Sequence, residues 1–218
     1  MPPDPLILAF DTSAAHCAAA LLSGDEVLSA AFEPMAKGQA ERLFGLLNQV
    51  LGEAGKDWPD LSAIAVGIGP GNFTGIRISV SAARGLALSL GVPAIGVTGF
   101  EALTVGLPRP VLASIDARRG QRFVQLIDRV GAHQPALLES GSWPTEMSVC
   151  GAHCVGDDAD EAAEQVGGIS TKPLYPLAVA IARVAAGRLD RPATRPAPLY
   201  IRAADAAPSS GPTLRILL

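Results

Sequence analysis

Two short stretches of the chain end an apolar run in aspartate and turn at once. In "LILAFDTS" (Leu6–Ser13), Asp11 is followed by Thr12 and Ser13, so a carboxylate and two hydroxyls could face a nucleotide phosphate or its magnesium ion. The alternative is an Asx turn, in which Asp11 bonds the backbone just ahead. In "SIDARRGQ" (Ser114–Gln121), Asp116 with Arg118 and Arg119 has the parts to orient an anion, although arginines at a surface turn need no ligand. A third stretch, "GIGPGNFTG" (Gly67–Gly75), leads from an apolar run into a helix. Free N–H groups at a helix start attract anions, with Gly69, Gly71 and Gly75 allowing close approach and Asn72, Thr74 and Arg77 in reach. Thr74 as a plain helix cap is the other reading, and the two can coexist.

The spacing rejects two familiar phosphate cradles. A P-loop needs Gly-x-x-x-x-Gly-Lys-Ser/Thr, and the loop contains no lysine. The dinucleotide fingerprint Gly-x-Gly-x-x-Gly started at Gly67 meets Asn72 in its last place, and started at Gly69 meets Thr74. Metal chemistry has little to build on. "CGAHC" (Cys150–Cys154) crowds Cys150, His153 and Cys154 together with no fourth ligand nearby, which reads as loop or strand rather than structural zinc. With Cys17 the cysteines number 3, an odd set that argues against a disulfide framework.

These residues must be positioned by an alternation of strands and helices. Leu6–Asp11, His16–Leu22 and Glu26–Glu33 read as a three-strand meander, followed by an amphipathic helix from Gln39 to Ala54 with Leu43, Leu46, Leu47, Val50 and Leu51 on its apolar side. Ser62–Ile68 reads as a buried strand and Thr74–Leu90 as a second helix, ended by Gly91 and Pro93. A short strand at Ala94–Val97 and a short helix at Gly99–Val105 complete a mixed sheet flanked by helices.

The second half begins in the same way. Shifted by 105 positions (116 − 11), Leu6–Leu22 lies over Val111–Ile127 without a gap and Asp11 over Asp116, the pattern of a duplicated hairpin. "TVGLPRP" (Thr104–Pro110) is the joint, giving domains 1–105 and 106–218. The second is less regular: strands near Val111–Asp116, Phe123–Asp128 and Ala136–Glu139, then helices at Ala159–Val166 and Pro176–Gly187. "RPATRPAP" (Arg191–Pro198) must run extended, and the apolar end Leu214–Leu218 is suited to docking.

The second helix carries a stronger signal than the loop before it. Ile76, Val80, Ala83 and Ala87 form one apolar stripe, while Ile78, Ala82, Gly85, Leu86 and Ser89 cover much of the rest, and only Arg77 and Arg84 are charged. A helix apolar nearly all round should be buried nearly all round, either inside the domain or against a partner subunit. Small residues four apart, Ser79-Ala83-Ala87 and Ser81-Gly85-Ser89, would let another helix come close. The expected partner surface comprises Leu43, Leu47, Val50, Ile76, Ser79, Val80, Ala83, Arg84 and Ala87, and an acid at Ala83 is expected to disrupt association.

Composition narrows the function classes further. The formal net charge is −4 and no basic run exceeds Arg118-Arg119, so the chain offers no nucleic-acid surface of its own and any RNA role needs a partner's charge. Hydrophobic residues make up 49% but aromatics only 5%, which implies a core of Ala, Leu, Val and Ile. The opening "MPPDPLILAF" lacks the basic end and long apolar run of a signal peptide, and no run is long enough to span a bilayer, so a cytoplasmic location is expected.

"ILAFDTS", "GIGPGNFTGIRISVSAARGLAL", "SIDARRGQ" and "PLYIRAADA", in this order, resemble the bacterial TsaB proteins, also called YeaZ, from Ile7 to about Ala206. The resemblance implies two actin/hexokinase-like domains and a non-catalytic subunit that pairs with TsaD, helped by the ATPase TsaE, in making threonylcarbamoyladenosine in tRNA. It implies a helix interface at Gln39–Leu51 and Thr74–Leu90, a homodimer through the same surface in isolation, tRNA reached only through the complex, and no cofactor for the chain itself, with ATP or ADP conceivable at the partner interface. The histidines here are His16, His133 and His153, none four apart, so the metal-binding His-x-x-x-His of TsaD-type proteins is lacking. Relatives often have His at the start of the first interface helix, where this chain has Gln39. The rival reading is an autonomous small-molecule kinase or ATPase using Asp11 and the Gly69–Gly75 turn. A third, a metallopeptidase, needs a bound metal.

Overall fold

The computed structural model describes residues 4–139, 141–143, 151–192 and 194–201. Cys150, Arg202–Ala206 and Leu214–Leu218 lie outside the described residues. The first half folds as β1 (Leu6–Asp11), β2 (His16–Ser23), β3 (Glu26–Pro34), α1 (Gln39–Glu53), β4 (Ala63–Gly67), α2 (Phe73–Leu90), β5 (Ala94–Val97) and α3 (Gly99–Thr104). The second half follows as β6 (Val111–Arg118), β7 (Gln121–Ile127), β8 (Ala136–Glu139), β9 (His153–Gly156), α4 (Ala159–Val166), β10 (Ile169–Thr171) and α5 (Leu177–Ala186).

The two mixed sheets have the same topology. The first runs β3-β2-β1-β4-β5 and the second β8-β7-β6-β9-β10, each an antiparallel meander joined to two parallel strands. The hairpins β1–β2 and β6–β7 occupy corresponding places, as the 105-residue shift implies. The copies differ between the third and fourth strands: α1 fills that place in the first half, and no helix fills it among the described residues of the second.

Strand alternation decides which helices cover which face, because successive side chains point to opposite sides. Leu8, Phe10, Cys17, Ala19, Leu21, Ile64 and Val66 meet α1 and α2 on one face of the first sheet. Ile7, Ala9, Ala63 and Ala65 meet Ala102 of α3 and Ala180, Ile181 and Ala185 of α5 on the other. The last described helix therefore returns to the first sheet, and the small side chains on both sides of that seam let it approach. In the second sheet, Val111, Ala113 and Phe123 pack with Phe100 of α3, and Leu112, Leu126 and Cys154 with Ala162, Ala163 and Val166 of α4. Among the described residues no helix is long and apolar enough to cross a membrane.

Residues 194–200, in no regular element, form a strap along α2. The Leu199 N–H donates to the Ile68 carbonyl at 2.8 Å, and the Pro196 carbonyl accepts from Arg84.

Candidate functional site

The glycine loop is shaped by the first hairpin. A Cβ on Gly75 would stand 1.9 Å from the Thr12 carbonyl oxygen, and one on Gly67 would stand 1.8 Å from Asp11 Oδ2. Hydrogen bonds then tie turn to loop: the Asn72 N–H donates to the Ser13 carbonyl at 2.6 Å, and the Thr12 hydroxyl to the Gly75 carbonyl at 2.7 Å. Asn72, not Thr74, caps α2, its side-chain oxygen accepting the Gly75 N–H at 2.9 Å. The glycines let two backbone turns interlock.

Asp11 is spent on the same structure. Its Oδ1 accepts the Ser13 N–H, the Ser13 hydroxyl and a bond from His16 Nε2, each at 2.8 Å, and the residue is 2% exposed. The Asx turn that the sequence allows is therefore formed, and Asp11 and Thr12 are both buried in it. Gly69 and Gly75 are also buried, and the Gly75 N–H is taken by Asn72.

Other expected residues do converge. A cleft of about 1340 Å³ is lined by residues of both halves, among them Ser13, Gly71, Asn72 and Arg77 from the first and Asp116, Arg118 and Arg119 from the second. The second turn is built like the first: the Asp116 carboxylate accepts the Arg118 N–H at 2.8 Å, and the Asp116 N–H donates to Asp157 Oδ2 at 2.8 Å. Thr74 is exposed on α2 and is not part of the cleft lining. The cleft also draws in His16, Phe32, Phe73, Asp157 and Tyr200, which sequence reasoning missed. Tyr200 and Phe73 are far apart in the chain yet their rings lie 4.9 Å apart, and no spacing could have paired them.

The partner surface needs a larger correction. Leu43, Leu47, Val50, Ile76, Ser79, Val80, Ala83 and Ala87 are all buried, at 7% exposure or less, and all but Ser79 belong to the core cluster under α1 and α2. They face their own sheet and are unavailable to a partner. Of the expected set only Arg84 lies at the flank, held by the strap. The outer side of α2 is instead Ser81, Gly85, Leu88 and Ser89, with Leu88 86% exposed, and α1 adds Phe44 at 48%. Of the two small-residue rows, Ser79-Ala83-Ala87 is core and Ser81-Gly85-Ser89 is surface.

The comparisons with known proteins agree with this architecture. A family model described as TsaD, tRNA N6-adenosine threonylcarbamoyltransferase, matches residues 33–141. The Escherichia coli tRNA threonylcarbamoyladenosine biosynthesis protein TsaB is 38% identical over 122 residues, covering 54% of this chain and 52% of that protein. The chain belongs to the TsaB/YeaZ family. An uncharacterized Mycobacterium tuberculosis protein is 30% identical over 208 residues, 93% of this chain and 94% of its own length. The solved structure of YeaZ from Pseudomonas aeruginosa superposes with a TM-score of 0.64 at 25% identity, covering 90% of this chain and 99% of that one. The chain spans about half the length of the curated TsaB relatives it matches first. The fold is two mixed sheets of one topology flanked by helices.

Within the TsaB/YeaZ frame, Gln39 keeps a structural task at the helix start. Its Nε2 donates to the Met35 carbonyl at 3.1 Å and reaches the Ala14 carbonyl at 3.4 Å, tying α1 to the first hairpin turn. The described cysteines are inert by environment: burial pushes the thiols of Cys17 and Cys154 up to about 11. His153 bonds Thr171 at 2.9 Å between the parallel strands β9 and β10, so it has a structural role there.

Proposed function

We propose that the chain is a non-catalytic scaffold and activating subunit in the synthesis of N6-threonylcarbamoyladenosine at adenosine 37 of tRNA. In this reading it pairs with a TsaD-type catalytic subunit, is assisted by a TsaE-type ATPase, meets tRNA only within the complex, and self-associates through the same face when isolated. The chain itself supplies no cofactor chemistry, and its place of work is the cytosol.

The observation that carries the reading is the outer stripe of α2. Ser81, Gly85, Leu88 and Ser89 are exposed, none is charged, and nothing lies within 4 Å of where a Gly85 Cβ would stand. A solvent-facing helix side normally carries charge, and an uncharged row of small residues around one exposed leucine fits a second helix at close range. The test is affinity purification of the tagged chain with a TsaD-type protein, then reconstitution of tRNA modification with TsaD, TsaE and tRNA. Binding and stimulation are expected. A purified pair that neither associates nor gains activity overturns the reading.

A second reading, ATP binding by a kinase- or ATPase-like cleft, draws on Ser13, Asn72, Arg77, Asp116 and Arg118 lining one space between the halves. It requires ATP turnover by the isolated chain that falls with Asp116→Asn. The burial of Asp11 weighs against it, because the carboxylate best placed by sequence to meet magnesium is occupied by three donors of its own turn.

A further inference from the structure

Arg77 is held on two sides and open on a third. Phe73 lies one helical turn before it, and the guanidinium carbon sits 3.7 Å from the centre of that ring, so one face of the group is covered. Its Nε donates to the Tyr200 hydroxyl at 2.9 Å, and Tyr200 is itself packed on Phe73 with ring centres 4.9 Å apart. The terminal nitrogens Nη1 and Nη2 have no hydrogen-bond partner among the described residues, and the side chain lines the cleft between the halves. A guanidinium fixed by its face and by Nε presents its remaining edge, a fork of N–H donors matched to the two oxygens of a carboxylate. Asn72 stands on the same lining. Its side-chain oxygen is used by the Gly75 N–H at 2.9 Å, so what it can offer a ligand is the N–H pair of its amide.

The rest of the lining limits the charge of a ligand and shapes its body. Arg77, Arg118 and Arg119 face the cleft with Asp116 and Asp157, an excess of one positive charge with His16 neutral. A ligand carrying several negative charges would meet both carboxylates as repulsive neighbours, whereas a single anion matches the excess. Away from these groups the walls are apolar. Phe32 comes from the first half, Leu103 from α3, Ile115 and Phe123 from the second half and Leu199 from the strap, and the Phe32 ring is left 58% exposed. An uncharged body laid against them would take that surface out of water, in a cleft of about 1340 Å³ that has ample room for it.

We propose that the cleft binds a small apolar monocarboxylate, its carboxylate on the Arg77 fork and its body against the apolar walls of the two halves. Phe73 and Tyr200 are the positioning residues, since they fix the plane and the direction of the guanidinium before a ligand arrives. The inference does not rest on α2 as a docking face. It takes the cleft of the ATP reading and gives it a different occupant, because the Gly75 N–H at the helix start is already spent on Asn72 and the lining has charge for one anion rather than a triphosphate.

The experiment is calorimetric titration of the full chain with phenylbutyrate as the probe, with phenylbutanol, inorganic phosphate and magnesium ATP as comparisons. Phenylbutyrate is expected to bind with a dissociation constant of about 1 mM or below, and phenylbutanol, which keeps the body and loses the charge, at least about tenfold more weakly. Amide NMR spectra of the labelled chain should shift at residues of both halves around the cleft. Arg77→Met should weaken phenylbutyrate by at least about tenfold, and Arg77→Lys, which keeps the charge without the fork, should recover only part of the loss. Tyr200→Phe keeps the ring and frees Nε, and is expected to cost roughly threefold. Both positions are exposed, and circular dichroism checks the fold of each variant. No binding of phenylbutyrate, equal binding of the alcohol, an Arg77→Met chain within about twofold of the parent, or shifts confined to one half each overturn the proposal. Magnesium ATP or phosphate binding more tightly than phenylbutyrate also overturns it, and ATP doing so would return the cleft to the ATP reading.

Discussion

Gly75 lies so close to Thr12 that a Cβ on Gly75 would stand 1.9 Å from the Thr12 carbonyl oxygen. The obstacle is backbone at the buried end of β1, so it cannot rotate aside. Gly75→Ala is expected to destabilise the protein by about 3 kcal/mol, the upper end of overpacking costs. Gly85→Ala, on the same helix with open space around it, is expected to stabilise by roughly 0.5–1 kcal/mol through the entropy of the unfolded chain. Denaturant unfolding at low protein concentration reads both, and equal effects at the two positions would refute the interlocked-turn account.

The second prediction reverses the expectation drawn from sequence for Ala83. That residue is fully buried against the first sheet, so Ala83→Glu places an unpaired charge in the core and should cost more than about 3 kcal/mol, seen as a loss of folded protein rather than as a clean monomer. Gly85→Glu puts the same charge on the outer stripe. It should change stability by less than about 1 kcal/mol, near the ordinary range for surface substitutions, while weakening association at least tenfold. A folded, monomeric Ala83→Glu would restore the inward face as the interface.

These contrasts indicate where the sequence was legible. The meander, both long helices and the turn after β4 follow from alternation and helical spacing over many residues, and the gapless 105-residue shift anticipated two sheets of one topology. The inward side of α2 was not legible, because a helix apolar on nearly every side has no strong period to choose the core face. β10 is three residues long, too short to show alternation, and β9 hides behind a cysteine-histidine cluster. The cleft unites Phe73 with Tyr200 and Ser13 with Asp116 through tertiary closure of the two halves, which no local spacing encodes. Asp11 stayed ambiguous for a simpler reason, since an aspartate suited to a phosphate turn is equally suited to capping its own backbone.

Arg122 supplies a third prediction. It is 1% exposed on β7, its Nη2 lies 3.2 Å from Asp158 and 3.2 Å from Glu161, and Trp143 covers its guanidinium at 4.8 Å. Nε and Nη1 are buried without a hydrogen-bond partner. Both acids are partly exposed and remain solvated when the arginine is removed. Arg122→Met, which keeps the volume and loses the desolvated charge, is therefore expected to be neutral or to stabilise by up to about 2 kcal/mol. Arg122→Ala should destabilise by leaving a cavity under Trp143. Thermal melts of the two variants distinguish the accounts, and a large loss on Arg122→Met would mean that the ion pairs outweigh the cost of burying the cation.

The last prediction concerns pH and the thiols. Burial raises Cys17 and Cys154 to about 11 from an ordinary 9.0, with the carboxylate of Glu33 adding to the effect at Cys17. At pH 8 only about one such thiol in a thousand is ionised, so both should react with a thiol reagent far more slowly in the native protein than in denaturant. Because the folded pKa is the higher one, the stability linked to these thiols is fully present below about pH 9, where both states hold the proton. It is lost as pH rises from about 9 to about 11, while the unfolded chain ionises and the native chain does not. In a Cys150→Ser background, which removes the third thiol, denaturant midpoints should fall across that window. Replacing Cys17 and Cys154 by Ala should flatten the thiol-linked part of the slope. Fast native labelling at pH 8, or a pH slope unchanged by those replacements, would contradict the burial of the two thiols.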